Sequence, residues 1–238
     1  MIDTEKSSDR SDPEQLELRA ALRSAVDGAF RASGVPAGRV ELHDRGDGLM
    51  ILVDGRVPRP TLVARFTTEL TERLGRHNRR AGPERWLRVR LALHAGDARR
   101  DEHGWTGRDL THTFRLCEAD AVKRCLEAAA RAQCVLVTSD HFYRSVVAHG
   151  DDGVDPASYR SVDLTVGGEL GRAWLHVPGY RVPPVPDPPS ATAGHAGLAA
   201  AARAAALLAE VPPGTTLYAP GRDYLDLRHG GVVHHHPR

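Results

Sequence analysis

Asp47 stands in the run His43-Asp44-Arg45-Gly46-Asp47-Gly48-Leu49-Met50-Ile51-Leu52-Val53, where a short polar turn separates two apolar segments. Glycine supplies the positive φ that two-residue hairpin turns favour, so the run reads as a tight hairpin with a carboxylate at its tip. A carboxylate so placed is aimed at solvent or at a ligand and not at a core. Alone it is ordinary hairpin chemistry; with the charged and polar groups downstream it becomes one piece of a phosphate-handling set. His94 and His112 are further candidates, as ligands or bases, although a histidine at the end of a strand also serves as a hydrogen-bonded, half-buried residue. The chain has no Gly-x-x-x-x-Gly-Lys phosphate loop, no Gly-x-Ser-x-Gly elbow and no His-Glu-x-x-His metal helix, so those chemistries are set aside. Trp86, Trp105 and Trp174 read as packing anchors.

The elements that must position these residues follow from periodicity. Asp12 caps a helix with Pro13 in its first turn, Leu18, Leu22, Val26, Ala29 and Phe30 recur at helical spacing, and Gly34 with Pro36 stops it. Val40 and Leu42 lead into the Gly46-Asp47-Gly48 turn and Leu49 to Val53 leads out. Pro58 and Pro60 open a second helix with Leu62, Val63, Phe66, Leu70 and Leu74 on its buried stripe. Leu87, Val89, Leu91 and Leu93 then alternate as a strand. With Ile2-Asp3-Thr4 as what remains of an initial strand, the order is strand, helix, strand, strand, helix, strand. That is the split βαβ, ferredoxin-like plan of an α+β domain. A loop at 97–106, helices near 109–117 and 119–132, a strand at 134–138, a short helix at 140–147 and strands at 159–166 and 173–177 follow. One apolar residue follows Met1, whereas a central strand takes about five or six residues. Either the strand starts upstream or Asp3 sits on a stub.

At 238 residues the chain suits a domain over 1–178 with an appendage over 179–238. The appendage begins with Val182-Pro183-Pro184-Val185-Pro186-Asp187-Pro188-Pro189, a stiff extended linker, and continues into an alanine-rich helix at 197–210 and a frayed end at His234-His235-His236. Its composition predicts a disordered, flexible tail. Net charge is +1, which lacks the electrostatic footprint of non-specific nucleic-acid binding. No signal peptide or 18-residue apolar run points to secretion or to the membrane. Cys117, Cys125 and Cys134 form no Cys-x-x-Cys pair and read as reduced, mostly buried thiols of a cytoplasmic protein.

Three runs resemble, in family order, the catalytic domain of class III nucleotidyl cyclases, the adenylate and guanylate cyclase family. Arg45-Gly46-Asp47-Gly48-Leu49-Met50 is similar to its Gly-Asp hairpin, and Arg90-Leu91-Ala92-Leu93-His94-Ala95-Gly96 to its arginine, apolar strand and His-x-Gly run. Gly107-Arg108-Asp109-Leu110-Thr111-His112-Thr113-Phe114-Arg115-Leu116 is similar to its Gly-x-x-Val-Asn-x-Ala-x-Arg-Leu helix. The resemblance covers about residues 1–177.

It implies a cyclase-type sheet and the conversion of a nucleoside triphosphate into a 3′,5′-cyclic nucleotide and pyrophosphate. Attack by the ribose 3′-hydroxyl on the α-phosphorus calls for two divalent ions, Mg²⁺ or Mn²⁺, held between carboxylates that the resemblance assigns to Asp3 and Asp47. Gly46, Gly48 and His43 would flank that site, and Arg115 would meet the charge developing on the phosphoryl group. In the family the carboxylates and the arginine helix come from different subunits, so a head-to-tail homodimer is implied. Four positions depart from the pattern: Thr111 replaces the asparagine, His43 the hairpin lysine, Gly104 the base-reading carboxylate, and Gly167 the late-strand lysine, with Arg172 the nearest cation. An active cyclase, a catalytically degenerate cyclase-fold module that binds nucleotide or regulates, and an unrelated α/β domain all stay open.

Overall fold

The computed structural model describes residues 1–5, 11–102, 104–166, 169–186, 216–218, 224–226 and 231–233. Contacts divide the chain into two units, Met1–Pro186 and Asp187–Arg238. The first unit runs β1 (Ile2–Thr4), α1 (Asp12–Ala32), β2 (Val40–Arg45), β3 (Gly48–Val53), α2 (Arg59–Thr61), α3 (Thr67–Asn78), β4 (Val89–Leu93), β5 (Arg99–Asp101), β6 (Gly104–Thr106), α4 (Arg108–Glu118), α5 (Asp120–Ala128), β7 (Cys134–Ser139), α6 (Asp140–Ser145), β8 (Arg160–Val166) and β9 (Glu169–His176). In the second unit β10 (Thr216–Tyr218), β11 (Tyr224–Asp226) and β12 (Gly231–Val233) pair antiparallel in sequence order. The alanine-rich segment expected at 197–210 lies outside the described residues.

Seven strands of the first unit form one sheet in the order β2-β3-β1-β4-β7-β9-β8. Within it β1 is antiparallel to both β3 and β4, which is the arrangement of the split βαβ plan expected from the element order. The only parallel pair among these ladders is β4 with β7, joined through the two helices α4 and α5. Residues of β7 are buried at every position, so its sequence Cys134-Val135-Leu136-Val137-Thr138-Ser139 reads as a continuous run instead of an alternation.

Each face of the sheet carries its own core. On one, the stripes of α1 and α3 pack against the strands, with Phe30 stacked on Phe66 at 4.1 Å between ring centroids. On the other, Leu116 and Cys117 of α4 and Val122, Cys125 and Leu126 of α5 cover Ala92, Val135 and Val137. The second helix predicted from Pro58 and Pro60 is present, but residues Leu62–Phe66 between α2 and α3 form a π-helical turn. There the Thr67 hydroxyl donates to the Leu62 carbonyl at 2.9 Å, a side-chain intrusion of the kind that widens a helix.

Several boundaries differ from those the sequence predicts, among them the start of β9, at Glu169 instead of 173. The cap of α1 is Ser11, whose N–H and hydroxyl both donate to Glu14 (2.9 and 2.7 Å), so Asp12 is already helical. The stretch 97–106 holds the hairpin β5–β6, whose residues are exposed or half-buried and therefore show no apolar alternation. Helix α5 ends at Ala128, and the Arg88 guanidinium takes carbonyls of its last turn and of the residues beyond: it donates to Leu126, to Ala129 at 3.0 Å and to Ala132 at 2.9 Å. Trp174 is a packing anchor, stacked on Tyr143 at 3.6 Å, whereas Trp86 is 44% exposed and is not.

Arg88 also forms an ion pair with Glu5 at 2.9 Å, tying the end of β1 to the end of α5. Both side chains are largely shielded from water. Replacing Arg88 with Ala strands three carbonyls and one carboxylate, and a loss of roughly 2–4 kcal/mol in urea denaturation is expected.

Candidate functional site

Asp3 and Asp47 occupy neighbouring positions at one end of the sheet, because Asp3 lies opposite Gly48 across the β1–β3 ladder. Asp47 is exposed in the two-residue turn between Arg45 and Gly48, and Gly46, at φ +71°, supplies the left-handed residue this turn needs. Asp3 is different. It is 8% exposed, and its carboxylate is ion-paired with the Arg90 guanidinium on the adjacent strand. Burial holds Arg90 below the ordinary arginine range. His43 lies on β2 opposite Met50, with its Nε2 3.4 Å from Glu41.

Helix α4 presents two unlike faces. Leu110, Thr113 and Phe114 line a cavity, and Cys117 packs under β4 and the start of β1, its Sγ 3.4 Å from the Arg90 carbonyl and 4.0 Å from the Met1 carbonyl. Thr111 and Arg115 are one turn apart on the exposed side. Two residues of helix correspond to about 200° of rotation, so Arg115 points away from the face that Cys117 lays on β1. Within one copy the chain therefore does not bring Arg115 to Asp3. The Thr111 hydroxyl donates to the Gly107 carbonyl at 3.1 Å, which commits its only proton within the helix. Arg45 sits over the Phe114 ring at 5.9 Å and links the hairpin to α4.

A polar chain joins β4, α4 and β7. His94 has Nδ1 2.7 Å from the Ser139 hydroxyl and Nε2 3.4 Å from Asp109. Ser139 also accepts from the Phe142 N–H at 3.2 Å, capping α6; the Asp109 carboxylate can only accept, which puts a proton on His94 Nε2 and, in the neutral imidazole, leaves Nδ1 to accept from the Ser139 hydroxyl. Ser, His and Asp in sequence invite a nucleophile reading, but Ser139 is 3% exposed and occupied as a cap. The set fixes a loop. Asp109 accepts the Asp97 N–H at 2.8 Å, and a Cβ on Gly96 would collide with the Asp109 carboxylate. That hydrogen bond is the first cause holding Asp109 below the usual carboxylate range. His112, its ring 4.9 Å from His94, is lowered mainly by burial and then by His94.

As to a metal, the donor set offered by Asp3 and Asp47 is two hard carboxylates. Mg²⁺ is commonly held by one or two such groups, the rest of its shell coming from water and substrate phosphates, and Mn²⁺ likewise suits oxygen donors. Two carboxylates are the donor chemistry such an ion takes, and the Asp3 carboxylate is at present held by Arg90. Among the described residues no group of three or more His, Cys, Asp or Glu side chains is placed to hold a metal. The cavity, about 250 Å³, is lined by none of Asp3, His43, Gly46, Asp47, Gly48, Thr111 or Arg115. Its polar lining of Asp54, His94, Asp97 and Asp109 went largely unread in the sequence; the available signal was the His-x-Gly-Asp sequence at 94–97. Gly167 lies outside the described residues, and among the described residues no helix is long and apolar enough to cross a membrane.

No protein-family model matches the chain, and no curated protein is similar to it. Among solved structures it is similar to the crystal structure of the guanylyl cyclase Cya2, at 14% identity and a TM-score of 0.47, over 79% of this chain and 92% of that one. It is also similar to the catalytic core of a rhodopsin-guanylyl cyclase with converted specificity in complex with ATPalphaS. There the identity is 15% and the TM-score 0.47, over 74% of this chain and 92% of that one.

Two outcomes follow from the polar chain. Asp109→Ala removes the acceptor for Asp97 and the partner of His94, and urea denaturation is expected to show a loss of about 1–2 kcal/mol. His112, depressed in the folded state, takes up its proton more readily when unfolded. Its contribution to stability is therefore lost as pH falls below its unfolded value. In His112→Gln, stability is expected to fall less than in the parent between about pH 7 and about pH 5, read by denaturation across that range.

Proposed function

We propose that the chain is a nucleotidyl cyclase-like domain that converts a nucleoside triphosphate into a 3′,5′-cyclic nucleotide signal and pyrophosphate at a site built by two copies. The observation that carries this reading is the orientation of α4, with Thr111 and Arg115 on the face turned away from β1. The carboxylates and the arginine of a phosphoryl-transfer site belong to different directions of one copy, and a head-to-tail pair sets the arginine of each against the carboxylates of the other. Asp47 at the exposed hairpin tip and Asp3 opposite Gly48 would hold Mg²⁺ or Mn²⁺. Such ions supply charge neutralisation at the phosphates and a more acidic 3′-hydroxyl. Gly46, lacking a side chain, leaves the turn open to the triphosphate, Gly48 lets the hairpin close on β1, where a Cβ would meet the Ile2 carbonyl, and His43 stands on the strand beside it. Arg115 meets the charge that develops on the phosphoryl oxygens. Three buried free thiols favour the cytoplasm as its place of work.

A second reading is a degenerate module that binds nucleotide without turnover. Two observations favour it: Arg90 holds the Asp3 carboxylate, and the Thr111 proton is committed to Gly107 where an asparagine amide would be free to donate.

The two readings part in an assay with Mn²⁺ or Mg²⁺ and each of the four nucleoside triphosphates. Pyrophosphate release with a cyclic nucleotide product is expected, abolished by Asp47→Ala and lowered on the order of 10²- to 10³-fold by Arg115→Ala. Mixing these two variants is expected to raise activity well above that of either alone, since a mixed pair contains one intact site. Thr111→Asn is expected to raise the rate. Nucleotide binding with no turnover in either the parent or Thr111→Asn would establish the degenerate module; activity without recovery on mixing would overturn the shared site.

A further inference from the structure

The polar chain at the start of α4 closes a hinge. The segment between β4 and α4 leaves at Gly96 and enters the helix at Gly107. Each glycine lies against the opposite side: Gly96 against the Asp109 carboxylate, and Gly107, at φ +151°, against the Asp97 carbonyl, which a Cβ there would approach to 2.9 Å. Backbone freedom and missing side chains at both points let the two ends meet. One carboxylate keeps them together. Asp109 accepts the Asp97 N–H at 2.8 Å on one oxygen and stands 3.4 Å from His94 Nε2 on the other.

Three imidazoles gather at this carboxylate from three elements. His94 follows β4, His112 stands in the second turn of α4 with its ring 4.9 Å from that of His94, and His141 belongs to α6 with its ring 6.4 Å from that of His94. The groups acting on His112 are His94 across the hinge and Asp109 and Arg115 along its own helix. From β7 the Ser139 hydroxyl meets His94, and the hinge itself brings the exposed Asp97. Charged groups on the other elements packed against α4 act elsewhere: Glu127 of α5 on Arg90, Arg160 of β8 on Cys125, and Asp163 of β8 on Arg172.

A proton added to His94 turns its contact with Asp109 into a charge-assisted one. A further proton on His112 sets two like charges side by side, with Arg115 one turn on and a single carboxylate, already committed on both oxygens, to offset them. Opening the hinge separates the rings and gives both to water, so proton uptake and opening are linked. The lowering of His112 by burial and by His94 has the same sign.

We propose that His94, His112 and Asp109 form a proton-operated latch, closed at neutral pH, that in mild acid releases the first two turns of α4 from the loop at 95–98. Resting on the cyclase reading, the latch makes the presentation of Thr111 and Arg115 to a second copy dependent on pH.

Amide hydrogen exchange at Asp97 reads the hinge directly and without nucleotide. Corrected for the intrinsic rate, it is expected to quicken about 4- to 8-fold from pH 7 to pH 5.5, the range that one linked proton of ordinary histidine pKa allows. It is expected to be insensitive to low urea, as a local opening is, whereas exchange at Val135 in β7 rises with urea. His112→Gln is expected to remove the pH dependence, and His112→Lys, charged at both pH values, to exchange fast at pH 7 already. Equal quickening in His112→Gln, full protection in His112→Lys at pH 7, or a urea dependence at Asp97 matching that at Val135 would overturn the latch. In the triphosphate assay kcat is expected to fall more steeply from pH 7 to pH 5.5 in the parent than in His112→Gln. The expected exchange pattern without turnover at any pH would uphold the latch and overturn the cyclase reading alone.

Discussion

Three residues, Ile2 to Thr4, join the β2–β3 hairpin to the other four strands of a seven-stranded sheet. So short a bridge holds because each residue is bound on several sides: Ile2 is fully buried, Asp3 is paired with Arg90, and Glu5 just beyond is paired with Arg88. Arg88 in turn closes the end of α5, and Cys117 of α4 rests on the Arg90 carbonyl. Both helices of one face thus report to the same few residues. The ion pairs do what apolar area cannot do on a strand this brief, and their partial burial makes them costly to break singly.

That dependence shapes the site. Asp3 is a structural counter-ion to Arg90, so in the proposed reading cation binding and sheet integrity draw on one side chain. The loop after β4 is held by a separate set, in which Ser139, His94 and Asp109 pass hydrogen bonds from the cap of α6 to the first turn of α4. Reading this set as catalytic would have ignored where its protons go.

Much of the architecture was legible because it rests on burial periodicity. The stripe Leu62, Val63, Phe66, Leu70 and Leu74 and the alternation Val89, Leu91 both reappear as buried residues. What escaped was set by contacts distant in sequence. The carbonyls at the end of α5 are taken by Arg88, some forty residues earlier, and the β5–β6 hairpin has no apolar face to announce it. At the site, the sequence put Asp3 beside the hairpin, and Asp3 lies opposite Gly48; that Arg90, 87 residues further along the chain, would take its carboxylate was not legible, since so distant a cation reads as a solvated surface group. The outward turn of Thr111 and Arg115 follows from helical geometry once Cys117 is known to face β1.

The three cysteines are free and buried, and burial raises the thiols of Cys117 and Cys125 to about 11 and that of Cys134 further still. A thiol reagent needs the thiolate and a path to it, so each sulfur is silent until its surroundings part. Their positions are not equivalent: Cys117 lies beneath β4 and the start of β1, Cys125 on α5, and Cys134 opposite Val89 in the parallel ladder. The chain therefore carries three built-in gauges of breathing. Labelling at Cys117 times the lifting of the short central strand, and labelling at Cys134 times the parting of the sheet itself.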